Sequence, residues 1–380
     1  MRMIKITPLR TLIALVFLAA LLLAAGCIEP GYQPNNDIVV IKLSPNGSLE
    51  WSKIIDKGGN DQADIIIPTS DGGSLISANY DCLIQLSGNG TVLWEKNYRD
   101  PLCMASALTM LQEGSFIVGS SGNGVVCKID KDGNLLWNKS SVKFDSEMTS
   151  RIHSIIETND GGFLVAGNYL TLLDPEGRPL WQHSYDTRDG MPGYQGIFSV
   201  AEKKNGGFFG LARKYGELFL LHFDKNGVII GNSSLNVSDM SSGLIGGDKG
   251  YSLLLFNTTN SSVEMIGLNP DGIVTRRKTL FDATAQRVLS QNPIIITNDG
   301  GIFSAIIRNP DATTDVLAEK GKIGVGGSKL NSEGMIEWSN ISLTLCKPQK
   351  TTTNVKLNNV IQTSDGGFVI LGLRDNFWKC

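Results

Sequence analysis

Short apolar runs separated by polar turns recur from residue 37 to the end of the chain. In one recurring unit, an apolar residue, three turn residues and a glycine lead into a run with Trp four residues after the glycine, as in Ile129–Trp137 (I-D-K-D-G-N-L-L-W). In the other, Thr-x-Asp-Gly-Gly separates two apolar runs, as at Thr158–Gly162. Asp or Asn followed by Gly between such runs is typical of β-hairpins, because Gly accepts a positive φ. The pattern therefore predicts two hairpins per repeat.

The two units alternate seven times. The turn glycines of the first unit have successive spacings of 43, 43, 44, 50, 45 and 62 residues: Gly47, Gly90, Gly133, Gly177, Gly227, Gly272 and Gly334. A four-stranded antiparallel repeat with a period of about 43 residues is typical of a propeller blade. The predicted fold class is therefore all-β, a seven-bladed β-propeller of four-stranded antiparallel blades. An open stack of sheets or two separate β-domains is the alternative.

The order of the units predicts how the ring closes. The chain enters with the second hairpin (Asp37–Ile55) and leaves with the first (Asn358–Leu373), so the N-terminal strands are expected to complete the last blade and cover its free edge. A Trp at one fixed place in the outer strand is expected to pack against the next blade. The residues concerned are Trp51, Trp94, Trp137, Trp181 and Trp338. The basic run Arg276–Lys278 lies on an outer strand and is expected to face solvent.

The repeat resembles that of quinoprotein-like propellers, in which an apolar strand, a turn glycine and a Trp recur in every blade. The resemblance covers residues from Asp37 to the C-terminus. It implies a propeller fold, and the enzymes of that family hold their quinone with adjacent cysteines, an acidic calcium site and a stacking Trp. This sequence has no adjacent pair of cysteines. The dehydrogenase activity is therefore not carried over, and no cofactor is expected.

The N-terminal residues resemble a lipoprotein leader. Arg2, Lys5 and Arg10 accompany Thr11–Ala25, an apolar run of roughly 15 residues, which is signal-peptide length and short of a membrane span. The run ends in L-L-A-A-G-C, which resembles the lipobox in which the Cys becomes lipidated. The expected organisation is a signal peptide at 1–26, lipid attachment at Cys27, a linker at 27–36 and a propeller at 37–380. A cleaved signal without lipid and an uncleaved anchor are the alternatives.

Composition limits the cellular locations and the classes of partner that are expected for this protein. A formal net charge of −3 and a pI near 5.7 leave no basic surface for nucleic acid. The expected location is the cell membrane, lipid-anchored on its extracytoplasmic side, and the chain is expected to be monomeric. Eight Asn-x-Ser/Thr sequons permit glycosylation at Asn46, Asn89, Asn138, Asn232, Asn236, Asn257, Asn260 and Asn340.

Variation in length points to one face of the predicted ring. Turns within each hairpin share one face, whereas connections between hairpins and between blades share the other, and only the latter vary, at Thr187–Tyr194, Asn309–Lys322 and Leu343–Asn354. Variable loops on a rigid scaffold are where binding usually resides. Three second strands end near this face in arginine: Arg213, Arg308 and Arg374. Converging guanidinium groups would suit a carboxylate, a phosphate or an acidic partner, and solvated loop charges are the alternative.

The sequence nominates no catalytic or metal-binding residue. His153, His183 and His222 fall in three different blades without metal-ligand spacing, and acidic residues are too dispersed to nominate a pair. Five cysteines remain beside Cys27, an odd number outside the cytoplasm. We expect buried thiols at Cys82 and Cys127 and regard Cys346–Cys380 as a possible pair; Cys103 has no assigned role.

These observations favour a non-catalytic binding or scaffolding propeller whose variable-loop face meets a protein, a glycan or a small anion. One alternative is an extracytoplasmic propeller enzyme, a quinoprotein-like dehydrogenase or a carbohydrate hydrolase or lyase. Such an enzyme would need a bound cofactor, a metal or an acid–base pair that sequence order conceals. The other alternative is a structural component of the cell surface, which would self-associate and bind no ligand.

Overall fold

The computed structural model describes residues 36–79, 81–98, 105–120, 124–140, 152–185, 196–237, 239–240, 243–247, 250–257, 262–281, 293–308, 322–346 and 355–375. All regular elements among these residues are β-strands, and every strand pair is antiparallel. No helix in these ranges has the length and hydrophobicity needed to cross a membrane. The predicted all-β fold class is confirmed.

The first strands in chain order are β1 Asn36–Leu43, β2 Leu49–Ile55, β3 Ala63–Pro68, β4 Ser74–Ala78, β5 Cys82–Leu86, β6 Val92–Asn97, β7 Ala105–Met110, β8 Phe116–Ser120, β9 Val125–Ile129, β10 Leu135–Ser140, β11 Ile152–Glu157, β12 Phe163–Gly167, β13 Tyr169–Leu173 and β14 Pro179–Ser184. The remaining strands are β15 Ile197–Glu202, β16 Phe208–Lys214, β17 Glu217–Phe223, β18 Ile229–Ser234, β19 Asp239–Met240, β20 Ile245–Gly247, β21 Gly250–Asn257, β22 Ser262–Leu268, β23 Val274–Phe281, β24 Ile294–Ile296, β25 Ile302–Arg308, β26 Lys322–Leu330, β27 Ile336–Cys346, β28 Lys356–Gln362 and β29 Phe368–Asp375.

These strands form seven sheets, the blades of a propeller. Blades 1 to 4 are β3–β6, β7–β10, β11–β14 and β15–β18, and blade 6 is β24–β27. In blade 5 the first strand is in two pieces, because β19 and β20 both pair with β21 ahead of β22 and β23. Blade 7 has the order β2-β1-β29-β28, with Asn36 opposite Asp375 and Leu43 opposite Phe368. The N-terminal strands therefore complete the last blade, as predicted.

The first strand of each blade is innermost. First strands of neighbouring blades contact one another from β28 to β3, β7, β11, β15 and β20, and β24 contacts both β21 of blade 5 and β28 of blade 7. The residues of the fourth strands are exposed or half-buried, as in β6 and β14, which is expected of an outer edge. Apolar residues of the middle strands are buried and cluster between adjacent blades, as where Ile38, Val369 and Leu371 of blade 7 meet Ile76 and Ile84 of blade 1. The core is thus a ring of contacts between sheets.

The predicted Trp contacts are confirmed and have one geometry. Each ring lies against the turn glycine of the next blade, so closely that a Cβ on that glycine would lie 2.4–2.9 Å from ring atoms. The pairs are Trp338 on Gly47, Trp51 on Gly90, Trp94 on Gly133, Trp137 on Gly177 and Trp181 on Gly227. The indole also hydrogen-bonds the turn: Trp51 Nε1 donates to the Gly88 carbonyl at 2.8 Å and Trp338 Nε1 to that of Pro45 at 3.0 Å.

Blade 5 has Arg276 at the position where five other blades have Trp. The guanidinium Nη2 donates to the Ser332 carbonyl at 2.7 Å, two residues before Gly334 of blade 6. Trp51 and Trp338 reach the carbonyl at the same offset from the next turn glycine. The expectation that the basic run only faces solvent is therefore wrong, since Arg276 replaces the hydrogen bond of the missing indole and Arg277 pairs with buried Glu264 at 2.8 Å.

A buried lysine connects the two hairpins within blades 6 and 7. Lys42 Nζ contacts the Asp365 carboxylate at 2.8 Å, and Lys329 Nζ contacts that of Asp299 at 2.8 Å. Both acids belong to Thr-x-Asp-Gly-Gly turns. Burial would raise the pKa of Asp365, but hydrogen bonds from Lys42, Thr363 and the Gly367 amide outweigh it and lower this pKa to about 2.

We expect Gly177→Ala to destabilise the protein more than Gly161→Ala. Both glycines lie in blade 3 with a φ of +76°, so both variants carry the same backbone strain. A Cβ on Gly177 would meet the Trp137 ring at 2.7 Å, whereas one on Gly161 would approach only Pro175, at 3.9 Å. Overpacking should cost about 1–3 kcal/mol more at Gly177. Denaturation midpoints of the two full-length variants measure the difference, and equal midpoints would contradict the contact.

Lys42→Met should weaken the dependence of stability on acid pH. The depressed pKa of Asp365 contributes stability that is complete above the unfolded carboxyl pKa of about 4 and is lost as pH falls toward about 2. Without the lysine this pKa rises toward its unfolded value, so less stability is lost across that range. Unfolding midpoints between pH 5 and pH 2 test this, with the exposed Lys139→Met as control. Parallel curves for both variants and the wild type would refute the effect.

Candidate functional site

We call the face that carries the connections between hairpins and between blades the connection face. The first strand of a blade begins at this face, and a β-bulge recurs there. In five blades one residue of the first strand has no partner in the second strand. It is the second residue of the first strand in four blades and the third in blade 7. The residues left over form what we call the bulge ring: Asp64, Ser106, His153, Phe198 and Asn358. β-Bulges redirect side chains and are frequent beside functional sites. The bulge ring thus places a different side chain from each of these five blades at the inner edge of the connection face.

Two members of the bulge ring fix the spacing of the inner strands. Asn358 Nδ2 donates to the carbonyl of Ala63 in the next blade at 2.6 Å, and Ser106 Oγ donates to that of Ile152 at 2.6 Å. Asp64 is exposed. The same position therefore supplies an inter-blade hydrogen bond in some blades and a side chain open to solvent in another.

A polar-aromatic cluster occupies the bulge ring at blades 3 and 4. The rings of His153 and Phe198 lie 5.1 Å apart at 52°, and the guanidinium carbon of Arg213 lies 5.7 Å from the centre of the Phe198 ring. All three side chains are half-buried. A guanidinium over an aromatic face is a cation–π contact. Two hydrogen-bonding groups and an aromatic surface are thereby brought together, although the sequence places them in three strands.

Arg374 is engaged in an ion pair within its own blade. Its Nη2 lies 3.1 Å from Oδ2 of Asp37, and the side chains are 17% and 2% exposed. Burial raises the pKa of Asp37, and the negative charges of Asp56 and Asp61 raise it further. The hydrogen bond and the positive charge of Arg374 lower it in part. The guanidinium of Arg374 therefore compensates a buried carboxylate.

The three arginines predicted to converge lie in different blades. Arg213 is in blade 4, Arg308 ends β25 of blade 6 with its backbone opposite Gly324, and Arg374 is in blade 7. The side chain of Arg308 lies outside the described part of the chain. Arg213 contacts the Phe198 ring of its own blade, whereas Arg374 pairs with Asp37 of blade 7. Their convergence on one ligand stays a prediction.

Three carboxylates that the sequence did not nominate meet at the junction of blades 7 and 1. Asp37, Asp56 and Asp61 each place an oxygen within 4.8 Å of the others, and they form the one such group of metal-ligating type among the described residues. In sequence order the acidic residues were too dispersed to nominate a pair, and the fold brings these three together. A local signal was present in Asp56–Asp61 (D-K-G-G-N-D), but nothing in sequence order brings Asp37 to it.

The other histidines serve packing. The ring Nε2 of His183 lies 2.8 Å from the Asn226 carbonyl of the next blade, and His222 packs edge-on against Phe209 at 4.9 Å. Burial, followed by the charge of Lys203, lowers the pKa of His222. Both positions suit structural roles, and neither belongs to the bulge ring.

The predicted buried thiols are confirmed at Cys82 and Cys127, and burial raises the pKa of Cys127 to about 12. Cys27, Cys103 and Cys380 lie outside the described residues, as does the side chain of Cys346, so the pairing of Cys346 with Cys380 stays a prediction.

The three long connections are described only at their edges. Residues 186–195, 309–321 and 347–354 lie outside the described ranges. One boundary was wrong, since Leu343–Cys346 continues strand β27 and does not belong to a connection. This extension has a contact to explain it, because Ser342 Oγ donates to the Gly47 carbonyl of blade 7 at 2.6 Å.

These features define the class of protein as a seven-bladed β-propeller, the fold that the resemblance to quinoprotein-like repeats implied. Residues 36–194 match the family model described as outer membrane protein assembly factor BamB. No curated protein sequence matches the chain significantly.

Solved structures are similar in fold. A streptogramin B lyase is 12% identical with a TM-score of 0.56, covering 90% of this chain and 98% of that one. The virginiamycin B lyase of Staphylococcus aureus is 13% identical with a TM-score of 0.51, covering 90% and 99%. BamB of Moraxella catarrhalis is 15% identical with a TM-score of 0.44, covering 87% and 93%. At these identities the likeness to the two lyases concerns the fold alone.

Proposed function

We propose that this protein is a lipid-anchored, extracytoplasmic propeller that binds a partner at its connection face and performs no catalysis there. The partner is a protein, a glycan or a small anionic ligand. The observation that carries the proposal is the contrast between the two faces. The turn face repeats one glycine turn in every blade, whereas the bulge ring presents a carboxylate, a hydroxyl, an imidazole, a phenyl ring and an amide.

Such a contrast favours recognition of one asymmetric partner. The hydrogen-bonded turn face has the same backbone geometry around the ring and offers little to distinguish one blade from another. The bulge ring has a rigid backbone, set by hydrogen bonds between inner strands, and side chains that differ from blade to blade. Binding residues on a rigid scaffold are the usual arrangement of a recognition surface.

The proposed subcellular location is inferred from the N-terminal residues and from the family match. The lipobox-like L-L-A-A-G-C places lipid on Cys27. The matched family model is described as an outer membrane assembly factor, which supports a role at the cell envelope. Mass spectrometry of the N-terminal peptide from native membranes tests this part separately: a diacylated Cys27 supports it, and an intact residue 26–27 bond excludes it.

We expect Arg213→Ala to weaken binding of the partner. Removing the guanidinium takes away the charge above the Phe198 ring, and an arginine at the centre of an interface commonly contributes a tenfold or larger factor in affinity, about 1.4 kcal/mol or more. The partner is first identified by mild crosslinking in native membranes, purification and mass spectrometry of all retained proteins and small molecules. Its affinity for wild type and variant is then measured.

Matched variants separate this site from its surroundings. Lys131→Ala removes an exposed cation from the turn face and should leave affinity unchanged. Arg308→Ala, alone and with Arg213→Ala, tests the predicted convergence, whereas Arg374 is left intact because it pairs with buried Asp37. Wild-type affinity in the Arg213→Ala, Arg308→Ala double variant would remove the arginines from the site.

The enzymatic alternative has one observation in its favour. His153, a group able to transfer protons near neutral pH, lies against Phe198, which Arg213 also contacts. A carbohydrate lyase or hydrolase could use such a pair at the centre of the ring. Recovery of a bound small molecule without any protein partner, together with its retention by wild type and loss in His153→Ala, would favour this reading over the binding module.

A further inference from the structure

The junction of blades 7 and 1 holds an excess of negative charge. Asp37 lies at the start of β1, and Asp56 and Asp61 bracket the connection from β2 to β3. Their carboxylate oxygens lie within 4.8 Å of one another. Two basic side chains are close by, but Arg374 pairs with Asp37 and the ammonium group of Lys57 pairs with Glu95 of blade 1. Three carboxylates and one guanidinium leave two negative charges together.

One of these oxygens is buried without a partner. Asp37 is 1% exposed, its Oδ2 accepts from Arg374, and its Oδ1 has no hydrogen-bond partner among the described residues. A buried carboxylate oxygen is costly unless a donor or a cation satisfies it. This unpaired atom belongs to a carboxylate that faces two other carboxylates, so the local charge favours a cation there over another acceptor.

The loop that carries the other two acids is built to hold them. Gly58 and Gly59 both have a positive φ, 78° and 89°, which lets the chain reverse between Asp56 and Asp61. Asp56 Oδ1 accepts from the Gly58 amide at 2.8 Å. Asp61 is fully buried, and its two oxygens accept from the Lys57 amide and from Asn79 Nδ2, both at 2.8 Å.

The loop is also tied to the strand that carries Asp37. The Asp61 amide donates to the Asn36 carbonyl at 2.8 Å, and Asn36 Nδ2 donates to Asn60 Oδ1 at 2.7 Å. Asn79, with a φ of 47°, accepts from the Gln62 amide and so fixes the far end of the connection. The positions of the three carboxylates are therefore set by hydrogen bonds to the backbone and to amide side chains.

We propose that Asp37, Asp56 and Asp61 bind one divalent cation, and that the ion is Ca²⁺. Calcium takes oxygen ligands at 2.3–2.6 Å in irregular geometry, so two ligands of one ion can lie up to about 5.2 Å apart, and separations within 4.8 Å are compatible with one ion. Asp37 supplies its unpaired Oδ1, Asp61 keeps free lone pairs beside its hydrogen bonds, and exposed Asp56 leaves one side open for water ligands. Magnesium would require shorter bonds in a regular octahedron, which three anchored carboxylates fit less well.

The location gives the ion a role. Asp37 belongs to the strands that close the ring, whereas Asp56 and Asp61 belong to the connection into blade 1. An ion bound by all three joins the closing blade to the first blade. Calcium therefore reinforces the seam at which the ends of the propeller meet, and this role does not depend on which partner the connection face binds.

Calorimetric titration of the full-length protein, first stripped with chelator, with CaCl₂ and separately with MgCl₂ tests the assignment. We expect one Ca²⁺ per chain, weaker binding of Mg²⁺, and a rise in the unfolding midpoint that saturates with Ca²⁺. Asp56→Asn should lower the Ca²⁺ affinity at least about tenfold while leaving the fold intact, because Asp56 is exposed. Asp271→Asn, which removes an exposed turn carboxylate of blade 5, is the control and should bind as wild type does.

Several results would overturn the proposal. Absence of Ca²⁺ binding at 10 mM would mean that a proton or a water molecule satisfies Asp37. Equal affinities for Ca²⁺ and Mg²⁺ would reject calcium as the specific ion. Unchanged binding in Asp56→Asn, or an equal loss in Asp271→Asn, would place the ion elsewhere. Asp37→Asn gives a second variant, which keeps the side-chain shape and should also lose Ca²⁺.

Discussion

The contact between an outer-strand side chain and the turn glycine of the next blade organises this propeller. Five Trp rings lie where a Cβ of the facing glycine would be, so neighbouring blades can approach only if that residue is glycine. The hydrogen bond from the indole to the turn carbonyl fixes the relative height of the two blades. Arg276 preserves the same bond without an aromatic ring, which shows that the carbonyl position is kept where the ring is lost.

Because the contacts between outer strands are alike from blade to blade, the side chains of the inner strands can differ. Outer contacts fix neighbouring blades, and Lys42 and Lys329 join the two hairpins of blades 7 and 6, so the inner strands can carry bulges without loss of register further out. Those bulges bring His153, Phe198 and Arg213 together from three strands. The variable part of the molecule therefore depends on the invariant part, as is usual when a repeat scaffold supports a recognition surface.

Closure of the ring has a chemical consequence of its own. Because β1 lies between β2 and β29, the first residues of the propeller are placed beside both the last strand and the connection into blade 1. Asp37 thereby meets Arg374, more than 300 positions away, and two acids that lie within 25 residues of it. At this junction Arg374, which was predicted to bind a ligand, pairs with Asp37. The same junction brings Asp37, Asp56 and Asp61 together in a group that suits a cation.

The sequence by itself determined the number of blades, the turn glycines, the Trp contacts and the closing hairpin, because each depends on residues at fixed spacing and hairpin chemistry is local. It also favoured the connection face as the binding surface, and the side chains on this face differ from blade to blade. It could not reveal that Arg374 pairs with buried Asp37, that Arg276 takes over the hydrogen bond of a Trp, or that Asp56 and Asp61 face Asp37. Those contacts join residues of different strands or blades, so only the tertiary structure, through the curvature and closure of the ring, decided them.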